Sequence, residues 1–287
     1  MTTNTIIAMI DGSEFSGPVL DMTAWAATRN DAPVRLLHVL PGRTPPKPDL
    51  SGAIRLGART ALLNELSELD EQRARLAMTQ GRAILDDATD LLKRAGVTRI
   101  TAQLRQGDLL DTVAAQESEL GLIVIGKRGE TAERAQGHLG SNFERIVRAS
   151  RLPVLMAPRR TRPIERVTIA WDGGPSARRA VDRVAQLPAY RGLSTDLVTV
   201  GGPEAQSSLN EPQRILAAAG IDATPRVIGT AADRTQPERA LLRHLEKSGS
   251  DVLVMGAYGH SRIRTLMIGS TTTAILREAQ LPVLLVR

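Results

Sequence analysis

The chain of 287 residues repeats itself once, and this duplication constrains its fold more than any other feature. Four landmarks recur in the same order: an apolar run ending in Asp-Gly, a second apolar run, an apolar run ending in glycine, and a closing Leu-Pro-Val-Leu. They begin at Ile6, Leu36, Leu122 and Leu152 in the first half, and at Val167, Leu197, Val252 and Leu281 in the second. Four matched landmarks are hard to obtain by chance, and the length accommodates two ordinary cores. We therefore expect two domains of one fold.

The pattern between the landmarks predicts the fold class. The apolar runs are short, rich in β-branched residues and bounded by Gly, Asp or Pro, which is typical of buried parallel strands. Helical patterns lie between them, such as 18–28, where Val19, Leu20 and Ala24 share one face. Strands that alternate with helices predict βαβ units and parallel sheets with right-handed crossovers. The expected architecture is α/β, with two tandem domains, each an open parallel sheet flanked by helices.

The expected domain bounds are 1–158 and 164–287. The segment between them is polar and contains Pro163, and it separates a closing strand from an opening one. The first domain carries a longer insert, 41–95, in which four prolines at 41–48 indicate irregular structure. Residues 58–95 follow a long helical pattern, with Leu62, Leu66 and Leu69 on one stripe. We expect Gly81 to break this helix.

Composition excludes several functional classes. The 42% of hydrophobic and 24% of charged residues are typical of a soluble globular protein, and no apolar run or leader indicates a membrane span or export. A cytoplasmic location is the expectation. The absence of cysteine excludes disulfides, thiolate metal sites and thiol catalysis. The net charge of +6 is scattered, and with only 2% aromatics it argues against nucleic-acid binding.

A glycine pattern in the second half is suited to binding phosphate. Gly256 and Gly259 follow an apolar run, and after nine further residues Gly269 and Ser270 precede a helical stretch. Glycine lets the backbone approach an anion closely, and the free N–H groups of a helix N-terminus supply donors and partial positive charge. The alternative is purely local: glycine after a strand is a common turn residue, and serine before a helix is a common cap.

The first half contains a near copy of this pattern, formed by Gly126, Gly129, Gly140 and Ser141, with ten residues in the longer interval instead of nine. The extra residue is either absorbed in the loop or displaces Ser141. Lys127 and Arg128 in this loop would favour phosphate, whereas Glu130 would repel it or pair with them. We therefore expect the second half to hold the better site.

An aspartate ends the first strand of each half, Asp11 and Asp172. In an open parallel sheet, ligands bind beyond the carboxyl ends of the strands, where the strand order reverses. If the strands that end at Asp172 and Gly256 are neighbours, a carboxylate and a phosphate site share one crevice. The carboxylate can accept hydrogen bonds from ribose hydroxyls or an adenine amine. The combination indicates a nucleotide, although Asp-Gly is also a common turn pair.

This set of residues resembles the universal stress protein family, and the resemblance covers nearly the whole chain twice. It implies a five-stranded parallel sheet in each domain, of the adenine nucleotide alpha hydrolase-like type. It also implies that ATP or AMP is bound, with Mg²⁺ accompanying ATP. The implied phosphate and ribose contacts are Gly256, Gly259, Gly269 and Ser270, and Asp172 and the backbone of Val200 would flank adenosine. The matching first-half positions are Asp11, Val39, Gly126, Gly129, Gly140 and Ser141.

The resemblance also bears on assembly. The closing strands at 154–156 and 283–285 would otherwise be open sheet edges, which must be covered or paired. In the family such edges pair between domains, so we expect the two halves to form an internal pseudo-dimer. A further homodimer and a protein partner that reads the bound state are additional expectations.

No familiar catalytic signature occurs: G-x-x-x-x-G-K-[S/T], G-x-G-x-x-G and G-x-S-x-G are all missing from the sequence. Among the histidines, we expect His38 in the core, His138 and His260 near a phosphate, and His244 at a solvated helix position. Their spacing does not resemble a metal site. We expect a sensor or regulator without catalytic residues. The alternatives are a weak ATPase or other nucleotide-using enzyme, in which Mg²⁺ assists hydrolysis, and a scaffold that binds no nucleotide.

Overall fold

The computed structural model describes residues 4–42, 56–129, 139–230, 233, 235–257 and 269–287, without the side chains of 56–63. The first half contains β1 (Thr5–Met9), α1 (Ser16–Asn30), β2 (Val34–Leu40), α2 (Leu56–Arg94), β3 (Ile100–Gln106), α3 (Leu109–Ala114), β4 (Leu120–Gly126), α4 (Ser141–Ala149) and β5 (Val154–Ala157). The second contains β6 (Arg166–Ala170), α5 (Pro175–Gln186), β7 (Ser194–Val200), α6 (Asn210–Ala218), β8 (Ala223–Ile228), α7 (Pro237–Ser248), β9 (Val252–Gly256), α8 (Ser270–Glu278) and β10 (Val283–Val286).

The ten strands form one sheet in the order β3-β2-β1-β4-β5-β10-β9-β6-β7-β8. Within each half, all neighbouring strands run parallel. The predicted fold class, two tandem α/β domains with five parallel strands each, is confirmed. In each half the chain moves outward through three strands and returns to the other side of the first. The strand order therefore reverses between β1 and β4, and again between β6 and β9.

The two halves join where β5 and β10 pair antiparallel, with Leu155 opposite Leu284. The predicted pairing of the closing strands is thereby confirmed. Helix α1 adds a second contact between the halves, because the guanidinium of Arg29 donates to the carbonyls of Ala189 and Arg191, each at 2.7 Å. The pairing of β5 with β10 covers what would otherwise be an open edge in each domain and makes the two halves one continuous sheet.

Alternating side chains of the strands pack into two apolar layers, one on each face of the sheet. Ile6 and Ala8 face the layer that includes side chains of α1, α2, α5 and α6, and Ile7 and Met9 face the layer of α3, α4, α7 and α8. This alternation is the period of two of a strand, and burial on both sides explains the continuous apolar runs. No helix among the described residues is long and apolar enough to cross a membrane.

The insert contributes α2, and the prediction that Gly81 breaks this helix is wrong. The helix runs without interruption from Leu56 to Arg94. A Cβ at Gly81 would lie 2.8 Å from Leu104 Cδ1 and 3.0 Å from His38 Cδ2. The glycine therefore allows the helix to approach the sheet closely and does not end it. The proline-rich segment 43–50 lies outside the described residues.

Candidate functional site

Each domain has a cavity at the carboxyl ends of its strands, next to the reversal of strand order. The first lies beyond β1 and β4 and the second beyond β6 and β9. The predicted aspartates follow β1 and β6, and the predicted glycines end β4 and β9. These strands are neighbours in the sheet, so each aspartate faces the same crevice as its glycine.

The first-domain cavity has a volume of about 260 Å³ and brings all six predicted first-half positions together. They are Asp11, Val39, Gly126, Gly129, Gly140 and Ser141. Ser141 begins α4, so the longer interval before it leaves it at the cavity. The N–H of Gly140 donates to the Lys127 carbonyl at 3.0 Å, which closes the base of the glycine loop.

Close approach of the backbone explains two of these glycines. A Cβ at Gly129 would lie 2.6 Å from Asp11 Oδ2, and one at Gly126 would lie 2.8 Å from the Cβ of Phe15. The Asp11 carboxylate is held in place because its Oδ1 accepts the N–H of Ser13 at 3.0 Å. The glycine loop therefore lies directly against the carboxylate, which narrows this cavity.

Three charged residues at the first cavity were not among the predicted site positions: Arg128, Asp108 and Arg145. Asp108 caps α3 by accepting the N–H of Leu110 at 2.8 Å, and its Oδ2 accepts a hydrogen bond from Arg145 at 2.7 Å. The bond from Arg145 is the main reason that the pKa of Asp108 lies below its usual value. Aspartate is a common N-cap residue, so the position of Asp108 directly before α3 was a signal in the sequence for this capping role.

The second-domain cavity is larger, at about 620 Å³, and more apolar. Asp172, Val200 and Gly256 line it together with Trp171 and the first turn of α8. The residues of α8 at its wall are Thr271, Thr272 and Ile275, and Gly269 and Ser270 begin the same helix directly before them. Gly259 lies outside the described residues.

Hydrogen bonds and close contacts fix the two central positions of the second cavity. Asp172 Oδ1 accepts the N–H of Gly174 at 2.8 Å, at the start of α5. A Cβ at Gly256 would lie 2.7 Å from the backbone nitrogen of Ala177. Backbone cannot move aside as a flexible side chain can, so the end of β9 can approach α5 only with glycine at this position.

The expectation that Lys127 faces a phosphate is wrong. Its ammonium donates to the carbonyls of Arg277 and Ala279, at 2.7 and 2.9 Å, at the C-terminal end of α8 in the other domain. Burial, with a smaller effect of Arg128, lowers the pKa of Lys127 to about 8. A cation at a helix C-terminus is favourable, because it pairs with unsatisfied carbonyls and the negative end of the helix dipole. Arg128 remains at the cavity wall, and Glu130 lies outside the described residues.

The described histidines lie away from both cavities. His38 is buried as predicted, with Nδ1 2.8 Å from the Ile10 carbonyl. The solvated position predicted for His244 is wrong: its side chain is 14% exposed, and Nε2 lies 3.4 Å from Asp196 Oδ2. Burial is the main cause that lowers the pKa of His244, although Asp196 opposes it. His138 and His260 lie outside the described residues.

Comparison with known proteins identifies the family. The sequence profile described as "Universal stress protein family" matches residues 2–158 and 163–287. The chain belongs to the universal stress protein family. The two matched segments correspond to the two five-stranded halves of the sheet, so the family fold occurs twice in tandem.

Several known proteins align with this chain along nearly their whole length. Universal stress protein Slr1230 of Synechocystis sp. is 35% identical over 289 residues, covering 98% of this chain and 99% of the relative. Universal stress protein Rv1996 of Mycobacterium tuberculosis is 23% identical over 312 residues, covering 98% and 94%. The crystal structure of a universal stress protein from Archaeoglobus fulgidus superimposes with a TM-score of 0.71 at 19% identity, covering 100% and 99% of the two chains. This structural likeness supports the fold alone.

Proposed function

We propose that the protein binds an adenine nucleotide, ATP or AMP, chiefly in the second-domain cavity, and acts as a sensor or regulator. One observation carries the proposal. At the reversal of strand order, a single cavity of about 620 Å³ combines the Asp172 carboxylate with the glycine end of β9. Ligand sites of open parallel sheets lie at this position, and small-molecule pockets are typically about 300–1,000 Å³.

The chemistry of the walls suits the parts of a nucleotide. Trp171, Val198 and Met255 provide apolar surface for an adenine ring. The carboxylate of Asp172 and the backbone of Val200 provide polar groups for the ribose and the base. The N-terminus of α8 supplies free N–H groups and a favourable dipole for phosphates.

The first-domain cavity supports a weaker or partial site. Its volume of about 260 Å³ falls just below the usual range for small-molecule pockets. Gly129 lies against the Asp11 carboxylate, where an adenosine would need room. Arg128 and Arg145 add positive charge at the wall, which favours an anion, although Arg145 is already paired with Asp108.

A regulatory role fits this chemistry better than turnover. Among the described residues that line the second cavity, Asp172 is the one charged side chain. No group of three or more His, Asp or Glu side chains among the described residues could hold a metal ion. Mg²⁺ would therefore enter with the phosphates of ATP. A cytoplasmic location and a protein partner that reads the bound state belong to the same proposal.

Calorimetry with ATP and AMP tests the proposal on the full chain. Asp172→Asn keeps an acceptor for the Gly174 N–H but removes the charge, and Asp11→Asn is the matched change in the first domain. Hydrogen bonds to a charged group contribute about 1.5–3 kcal/mol, so we expect affinity to fall roughly ten- to hundredfold in Asp172→Asn. Asp11→Asn should bind nearly as the parent does. Equal affinity in Asp172→Asn and the parent would refute the second-domain site.

Two further outcomes separate the alternatives. The weak-ATPase alternative requires Mg²⁺-dependent turnover well above that of a Gly269→Val control. The scaffold alternative requires no heat of binding with ATP, ADP or AMP, and no nucleotide released when the purified protein is denatured. Either result would replace the sensor proposal.

A further inference from the structure

Helix α8 links the second-domain cavity to the first domain. Its first turn lines the cavity, and there the hydroxyl of Thr272 donates to the Ala257 carbonyl at 3.2 Å, directly after β9. Its 9 residues span about 13 Å, and at the far end Lys127 of the first domain donates to the carbonyls of Arg277 and Ala279. One end of this helix therefore belongs to the second site, and the other end is bound by the first domain.

Lysine is an unusual residue for this contact. Lys127 is only 7% exposed, and removing an ammonium from water to this extent is costly. Both of its hydrogen-bond partners are carbonyls and not carboxylates. The matching residue of the second half, directly after Gly256, is Ala257, so the turn that follows the strand does not require a lysine. A charge buried at this cost indicates a use for the charge itself at the end of α8.

The dipole of α8 explains what such a charge can do. A helix carries about half a positive charge at its N-terminus and half a negative charge at its C-terminus. The negative end weakens the attraction of a phosphate to the N-terminus, and an ammonium at the C-terminal carbonyls compensates for it. Ile275 and Leu276 in the middle of α8 are buried, so the field passes through apolar protein, which screens charge less than water does.

The same arrangement occurs in the opposite direction. The guanidinium of Arg287, directly after β10, donates at 2.5 Å to the carbonyl of Ser150, the C-cap of α4. Helix α4 begins with Ser141 at the first-domain cavity. The residue of the first half that matches Arg287 is Pro158, so the two cations stand at different positions of the repeat and duplication does not explain both. Each helix that begins at a cavity thus ends against a cation of the other domain.

We propose that Lys127 of the first domain strengthens nucleotide binding in the second domain by placing a positive charge at the C-terminal end of α8. The inference rests on the proposed nucleotide site. Lys127 does not touch the ligand and acts on its phosphates through the helix. The second-domain site is then not self-contained, because its affinity depends on the glycine loop of the first domain.

The length of α8 sets the size of the effect. The helix and one hydrogen bond at each end put the ammonium about 18 Å from a phosphate at the N-terminus. At an effective dielectric constant of about 20–40, each unit of phosphate charge then changes the affinity by about two- to fivefold. A phosphate monoester carries about 1.5–2 negative charges at pH 7. We therefore expect an effect of about three- to tenfold on AMP at low ionic strength, and none on adenosine.

Calorimetry with AMP and adenosine at pH 7 and low ionic strength tests the proposal on the full chain. Lys127→Met should bind AMP about three- to tenfold more weakly than the parent and adenosine equally well, and Lys127→Arg should bind both as the parent does. Lys93→Met is the matched control, because it removes a lysine from the last turn of α2 in the first domain, and it should change neither affinity.

Three outcomes of this experiment would overturn the proposal. Unchanged AMP affinity in Lys127→Met would overturn it and leave the proposed nucleotide site intact. An equal loss for AMP and adenosine would do the same, because Lys127 would then support only the shape of the cavity. A parent that binds no nucleotide would refute the proposed function, and this inference with it.

The pH dependence of AMP binding gives a second test. Burial, with a smaller effect of Arg128, lowers the pKa of Lys127 to about 8, and Glu278 opposes it. Arginine and glutamate side chains keep their charges between pH 7 and 9.5, whereas Lys127 loses its proton. The AMP affinity of the parent should therefore fall across this range towards that of Lys127→Met, and Lys127→Arg should keep its affinity. Parallel profiles for the parent and Lys127→Met would contradict the role of the charge.

Discussion

Lys127 joins the glycine loop of the first domain to a helix of the second, and its replacement tests whether this contact stabilises the protein. Lys127→Met preserves most of the packing volume but removes both hydrogen bonds to the carbonyls of Arg277 and Ala279. Hydrogen bonds from charged donors contribute about 1.5–3 kcal/mol, and a buried carbonyl left unpaired is costly. At pH 7 methionine also avoids the cost of burying a charge, so we expect the net fall in the free energy of unfolding to be about 1 kcal/mol.

The dependence on pH has a definite sign. The pKa of Lys127 is lowered from 10.5 to about 8 in the folded protein, so above pH 8 the native state loses this proton before the unfolded chain does. The unfolded state then binds more protons, and stability rises with pH. The parent should therefore gain stability relative to Lys127→Met from pH 8 upward. The shift of pKa from 10.5 to about 8 sets an upper limit of about 3 kcal/mol on this gain.

Urea unfolding followed by circular dichroism, from pH 7 to just below pH 10, measures both effects. The tyrosines are the same in the parent and the variants, so their ionisation in the unfolded chain, which begins below pH 10, cancels when the proteins are compared. Lys93→Met is the control, because Lys93 is exposed and its ion pair with Asp90 is 3.6 Å long, so a change below about 0.5 kcal/mol is expected. A Lys127→Met protein as stable as the control, or equal slopes of stability against pH for the parent and Lys127→Met, would refute this role of Lys127.

Two further predictions concern the second domain. Because burial lowers the pKa of His244, the folded protein binds its proton less readily than the unfolded chain does, and the free energy of unfolding should decrease as the pH falls below 6.5. His244→Gln should reduce this decrease when urea unfolding is measured against pH. Parallel curves of stability against pH for the parent and His244→Gln would contradict the prediction. Gly256→Ala places a Cβ 2.7 Å from the backbone nitrogen of Ala177 and should cost about 1–3 kcal/mol. Gly17→Ala, where the added Cβ meets nothing within 4 Å, should be neutral or stabilising by up to about 1 kcal/mol. Thermal unfolding of both variants measures this, and equal effects of the two changes would argue against the close approach of β9 to α5.

The fold, and the meeting of the candidate site residues at one edge of the sheet, could be predicted because both depend on repeated local patterns. The apolar runs that end in Asp11 and Gly126 recur at Asp172 and Gly256, and parallel strands bring their carboxyl ends to one edge of the sheet. An open edge is unfavourable and must be covered or paired, and the resemblance to the family is what favoured pairing of the two closing strands with each other.

The errors arose where contacts between distant parts of the chain decide the outcome. Lys127 follows Gly126 directly, and nothing in its own segment indicates that the end of α8 lies beside it. Gly81 has the usual signature of a helix break, but close packing against Leu104 and His38 explains the residue instead. His244 is a third case: the buried Asp196 carboxylate contacts both Arg226, at 2.8 Å, and His244, at 3.4 Å, and no local pattern indicates that α7 lies beside β7.

Fluorescence of Trp171 tests the central claim most directly, because this side chain lines the second-domain cavity next to Asp172. The chain has one other tryptophan, Trp25, which stacks edge-on against Tyr190 with ring centroids 5.7 Å apart. Trp25→Phe leaves Trp171 as the one indole reporter. We expect a saturable change in the emission of Trp171 with ATP or AMP, and the nucleotide concentration at its midpoint should rise roughly ten- to hundredfold in Asp172→Asn. Calorimetric binding of ATP that leaves the emission of Trp171 unchanged would contradict it.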